Sequence, residues 1–205
     1  MTDAVEPTDP EDTLGHNPAA VAASSASHRI ITLFGPINAE AAYTVWAGLL
    51  QYGLEDPKAP ISIYMSTPGG DVYEAFSIWD AIQACPAPVN LIGVGCVASC
   101  GAFLMYAAPK GRRFLAPNTV VMAHQISYGD YGRMTELKSR MAAVEVQEER
   151  FMSLIVAKTT LKGSKESKLK KLAKYWQGEH DQYMFPQEAI EKLGIADHIG
   201  LPHQV

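Results

Sequence analysis

The sequence predicts an α/β domain built on a largely parallel sheet, and two observations carry that prediction. Short β-branched or apolar runs alternate with longer segments whose apolar residues recur at helical spacing. Glycine, proline and serine turns such as STPGG punctuate the alternation, so each run has a defined end.

Residues 1–28 hold three prolines, several acidic residues and an Ala/Ser tract, with no periodic apolar pattern. They read as a tail or removable leader, and a single domain is expected over 29–205. RIITLFG is a short strand closed by Gly35. Asn38 then caps a helix over AEAAYTVWAGLLQYGL. ISIYM (61–65) is the next strand, followed by STPGG and a helix around VYEAFSIWDAIQAC. VNLIGVG (89–95) reads as a buried strand, CGAFLMYAA (100–108) as an apolar helix and TVVMAH (119–124) as another strand.

After Gly132 the pattern changes. Met134 to Lys158 contains no Gly or Pro, and apolar residues fall at 134, 137, 141, 144, 151 and 155. That spacing predicts a helix of roughly 25 residues, about 37 Å at 1.5 Å per residue. It is too long to lie across a small core, so it is expected to project and pack on a partner. LKGSKESKLKK reads as a charged, turn-containing connection, its lysines a solvated face. FPQEAIEKLG gives a final helix, opened by Pro186 and stopped by Gly194. There is no internal repeat.

Composition narrows the function. Hydrophobic residues make up 47% and charged residues 19%, which fits a folded domain rather than a disordered chain. The net charge of −5 argues against nucleic acid as a partner, because phosphate binding needs a dense basic face. No apolar run reaches the length of a membrane span, so no membrane role is expected. The acidic N-terminus lacks the character of a secretion signal. Cys85, Cys96 and Cys100 form no CxxC pair and sit in apolar contexts, as buried thiols do in a reducing compartment. The cytoplasm is the expected location.

Four places can carry chemistry. Ser99 lies between the buried strand and the apolar helix, where free backbone N–H groups and the helix dipole stabilise an oxyanion. Taken alone, a serine there is more often an N-cap. His124 ends a strand at the edge where parallel sheets assemble sites, although a lone histidine is more often structural. Gly69 and Gly70 give a turn whose bare backbone can approach a ligand, or simply a tight turn. Asp181, before the last helix, reads alone as a cap or surface charge.

Together the four change character. The run from STPGGD through GCVASCGAFLMYAAPKGRRFLAPNTVVMAHQ resembles the proteolytic subunit of the Clp proteases, whose pattern is SPGG, G-x-A-S-M-G-A, K-G-R and LPNS-x-VMIHQP. The resemblance implies Ser99 as nucleophile and His124 as general base. EHDQYMFPQEAIEKLGIAD resembles the family segment that carries the third triad member, which assigns Asp181. The N–H groups of Gly70 and Cys100 would form the oxyanion hole. The implied fold is the repeated β-β-α architecture shared with crotonases, with a handle helix at about 134–158. The implied assembly is a tetradecamer of two stacked heptameric rings around a proteolytic chamber for protein and peptide substrates. No metal or cofactor is implied in this subunit, and ATP would enter only through an associated AAA+ unfoldase.

The chain departs from that pattern in several places. Ile126 stands where the family has proline, and the next stretch reads SYGDYGR. Cys100 replaces a methionine, His180 replaces the arginine before the aspartate, and 162–174 looks inserted. Tyr64 is kept in the region that receives the unfoldase, whereas Ser62 and Ala84 stand where aromatics are common, which leaves docking open. The rival readings are a non-catalytic ring subunit, a crotonase-type acyl-CoA enzyme and a viral head-maturation protease of Clp type acting without an unfoldase.

Overall fold

The computed structural model describes residues 28–202, so the expected tail lies outside the described residues except for His28. The elements run β1 (Ile30–Phe34), α1 (Ala39–Glu55), β2 (Ile61–Thr67), α2 (Val72–Ala84), β3 (Val89–Ala98) and α3 (Cys100–Met105). They continue as β4 (Arg113–Leu115), β5 (Val120–Ala123), α4 (Met134–Lys158), α5 (Lys165–Trp176), β6 (Gln182–Met184), α6 (Pro186–Leu193) and β7 (His198–Ile199). Strands β1, β2, β3, β4 and β7 lie side by side and all pair in parallel. The α/β class with a parallel-dominated sheet is therefore as expected.

β3 is the strand that shapes the site. Its first half, Leu91–Gly93, pairs with β4, and its second half, Cys96–Ala98, pairs with β5. Between them Gly95 has φ +63°, a conformation that glycine adopts without steric cost. The strand thus changes partner midway, and its end is delivered beside the end of β5. β6 then adds to β5 in antiparallel register, with Ala123 opposite Gln182.

α3 sits at the centre of the core, with all six residues buried. Phe103 stacks between Trp79 of α2 and Phe151 of α4, at centroid distances of 4.8 and 4.0 Å. Such aromatic packing adds to the stabilisation that burial provides. A Cβ on Gly101 would lie 2.3 Å from Thr67 Cγ2, so glycine is what lets α3 press against β2.

The long helix has the expected bounds, and its environment divides sharply. Phe151, Met152, Ile155 and Val156 are buried, whereas no residue from 134 to 150 is. Met134 and Met141 are exposed, and Leu137 and Val144 are half-buried. The core end is tied down by Arg113, itself buried, which donates to the Lys158 carbonyl at 2.9 Å and pairs with Asp197 at 3.1 Å.

The segment 162–174 corrects the expectation of a connection. Only its start is one. Ser164 accepts from the Ser167 N–H and opens α5, which buries Leu172, Tyr175 and Trp176. The lysine-dense stretch masked an apolar stripe confined to the helix's last turns, while Lys165, Lys170, Lys171 and Lys174 do face outward. β4, β6 and β7 also escaped the sequence reading, because two or three residues show no periodicity. The final helix starts at Pro186 and ends at Gly194 in the left-handed conformation, as expected.

Candidate catalytic site

β3 does not stop at Ala98 so much as turn there. The Ser99 N–H donates to the Met122 carbonyl of β5, while the Ser99 carbonyl accepts from Phe103 N–H and starts α3. Serving a strand and a helix at once forces the residue to φ 55°, ψ −122°. For a non-glycine residue such a conformation costs on the order of 1–3 kcal/mol and persists only where its surroundings enforce it. The Ser99 side chain makes no capping bond to α3. Its Oγ instead lies 2.7 Å from His124 Nε2.

His124 is the first residue beyond β5 and is about one-fifth exposed. Because Ala123 pairs with Gln182 in antiparallel register, the next residue on β5 faces the residue before β6, which is Asp181. The measured separation is 3.9 Å from His124 Nδ1 to Asp181 Oδ1, with the carboxylate half exposed. That is ion-pair range and longer than a hydrogen bond. His180, beside it, is exposed.

The Gly69–Gly70 turn is held from the other side. Ile37 donates to Gly69 O and accepts from Asp71 N–H, both at 2.9 Å. In a parallel bridge this leaves the Gly70 N–H and C=O directed away from Ile37. On that far side Cys100 Sγ lies 3.3 Å from Gly70 O. A Cβ on Gly69 would stand 2.6 Å from Ser99 Cβ, so the turn lies directly against the serine. Burial pushes the Cys100 thiol up to about 11, which keeps it a neutral S–H group. Asp71 then caps α2 by accepting from Tyr73 and Glu74 N–H.

Beside this turn opens a cavity of about 310 Å³. One wall is Gly70 to Tyr73, the second is Ile126 to Tyr128, and the third is Arg140, Ala143, Val144 and Gln147 of α4. The structure thus brings together all five residues singled out in the sequence, Ser99, His124, Asp181, Gly70 and Cys100. Sequence reasoning missed Tyr128, Asp130 and Arg140; the first two lie in SYGDYGR, whose charge and aromatic content was unusual, whereas Arg140 lies within the long helix and carried no signal.

A serine on a strained strand-to-helix turn, paired with a histidine beside a glycine turn, is an arrangement suited to hydrolysis through a nucleophile. The model of the Clp protease family matches residues 16–202, and the chain belongs to that family. Its mixed α/β fold is of the Clp protease and crotonase type, and membership makes it a peptidase-type hydrolase acting on peptides. Among the described residues no helix is long and apolar enough to cross a membrane.

Proposed function

We propose that this chain is a serine endopeptidase, the proteolytic subunit of a self-compartmentalised ring protease. The observation that carries the reading is Ser99 itself, held at positive φ with its Oγ 2.7 Å from His124 Nε2 instead of capping its helix. In the reaction Ser99 Oγ attacks the scissile carbonyl carbon while His124 Nε2 takes the hydroxyl proton. The carbonyl oxygen becomes an oxyanion facing the N–H groups of Gly70 and Cys100. His124 returns the proton to the leaving amine, and water then hydrolyses the acyl-enzyme by the same route in reverse. Asp181 orients the imidazole from Nδ1 and stabilises it once protonated, and the 3.9 Å gap closes when substrate is bound. A fluorophosphonate probe is expected to label the native protein at Ser99 and nowhere else, read by mass spectrometry of the Ser99 peptide. An unlabelled serine in the assembled wild type refutes the mechanism.

The subunit needs no cofactor or metal in this scheme. ATP would enter only through an associated AAA+ unfoldase, whose docking is left open by Ser62 and Ala84 standing where aromatics are common beside Tyr64, and the cytoplasm is the proposed location. The ring reading rests on α4, whose half that lies outside the core exposes Met134 and Met141 two turns apart on one face, beside half-buried Leu137 and Val144. An apolar face on a projecting helix calls for a partner surface, and an identical helix of a facing subunit in stacked heptameric rings supplies one. Changing both Met141 and Val144 to Lys is expected to reduce a double ring to single rings or smaller species in light scattering. A wild type that stays monomeric at micromolar concentration removes the ring reading.

A further inference from the structure

The segment that follows His124 has little to hold it. Residues 124–133 form neither strand nor helix, and they include Gly129 and Gly132. Ile126 packs against the core, but Tyr128 is half exposed and Tyr131 is 96% exposed. Burial of apolar surface therefore secures only the beginning of the loop.

The end of the segment is tied to α4 by Arg133, whose N–H and guanidinium donate to Glu136, and what secures the middle is one other carboxylate. Asp130 Oδ2 accepts from the Tyr128 hydroxyl at 2.6 Å and from Arg140 Nη1, while Oδ1 accepts from the Tyr131 N–H at 2.7 Å. Its side chain is only 19% exposed although it belongs to a surface loop. Arg140 lies in the second turn of α4, so the bond crosses from loop to helix over a separation of 10 residues. Arg140 first, then the Tyr128 hydroxyl and the Tyr131 N–H, hold the Asp130 carboxyl down at about 2, so it is ionised at any pH where a serine–histidine pair operates. Isolated surface ion pairs contribute little, but here one carboxylate collects three donors and both ends of the cluster have a place in the cavity wall. Tyr128 and Arg140 face Gly70 to Tyr73 across the 310 Å³ space.

We propose that Arg140 is a positioning residue that, through Asp130 and Tyr128, latches the loop 126–131 onto α4 and so fixes the wall of the cavity receiving the substrate side chain beside the scissile bond. The assignment of the cavity to substrate rests on the peptidase reading above, whereas the latch itself does not. Without the latch the loop samples open positions, and substrate must bear the ordering cost on binding. The loss then falls on KM rather than on the chemical step.

The test compares full-length wild type with Arg140→Gln, Asp130→Asn and Arg140→Lys, each taken from the same size-exclusion species. Hydrogen exchange of residues 125–133 is expected to speed up by about fivefold in Arg140→Gln and Asp130→Asn, with exchange in α2 and α3 unchanged. Arg140→Lys keeps the cation and is expected to recover most of the protection. For a short peptide substrate, KM is expected to rise roughly fivefold with kcat nearly constant, and fluorophosphonate labelling of Ser99 to keep its rate. Unchanged protection of 125–133 in both charge-removing variants overturns the latch. Faster exchange spread through the whole domain overturns it too, by making the cluster a general stabiliser. Faster loop exchange with KM unmoved overturns its part in substrate binding. A wild type that neither cleaves peptides nor takes the probe defeats the peptidase reading instead, and the exchange comparison still decides the latch.

Discussion

Ser99→Ala is expected to remove peptide hydrolysis while leaving the fold and its assembly in place. Nucleophile and base act as a unit, so Ser99→Ala and His124→Ala should each lower kcat by several orders of magnitude, roughly as much as the double variant. The backbone supplies an independent check. At φ 55° an alanine bears the same strain as the serine, whereas a glycine does not. Ser99→Gly should therefore be as inactive as Ser99→Ala and no less stable in thermal unfolding, because strain of about 1–3 kcal/mol is offset against the glycine's extra chain entropy. A structural cap behaves differently, since losing its hydroxyl costs stability and leaves activity alone. Purified Ser99→Ala retaining more than a few per cent of wild-type activity would end the mechanism. So would a Ser99→Ala protein that unfolds early while still cleaving.

Much of this was legible in the sequence for physical reasons that can be named. β1, β2, β3 and β5 are short apolar runs bounded by turn residues, and α1, α2 and α4 keep a helical apolar spacing over many turns, so periodicity alone finds them. The bounds of α4 follow from the absence of Gly and Pro between Met134 and Lys158. α5 was hidden because its stripe is short, Leu172, Tyr175 and Trp176 following a run of lysines. The site residues stood out by type and order. Their geometry did not, because the positive φ of Ser99 results from β5 claiming its N–H and α3 its carbonyl, two contacts remote from one another in the chain. The placing of Asp181 opposite His124 comes likewise from β6, three residues long and silent in any pattern. Asp130 and Arg140 were invisible for a related reason, since a charge pair between loop and helix has no sequence period at all.

Gly70→Ala is expected to cripple the enzyme through the backbone alone. The residue sits at φ +154°, and a Cβ there would come 2.2 Å from Ile37 O and 2.8 Å from Ile37 N. Both are main-chain atoms already engaged in the bridge, so neither can swing aside as a flexible side chain would. Two ways out exist, and each removes something the site needs. If the Ile37 segment retreats, the bonds from Ile37 N–H to Gly69 O and from Asp71 N–H to Ile37 O are lost, at about 1 kcal/mol each. If Gly70 rotates instead, its N–H leaves the place proposed for the developing oxyanion. Loss of one such donor lowers kcat by roughly a hundredfold to a thousandfold. Gly69→Ala offers a contrast, because its Cβ would strike Ser99 Cβ at 2.6 Å and displace the proposed nucleophile itself. Fluorophosphonate labelling should therefore become slow in Gly70→Ala and vanish in Gly69→Ala, with both proteins checked for a cooperative unfolding transition. A cooperatively folded Gly70→Ala protein with wild-type kcat would show that the oxyanion is held elsewhere.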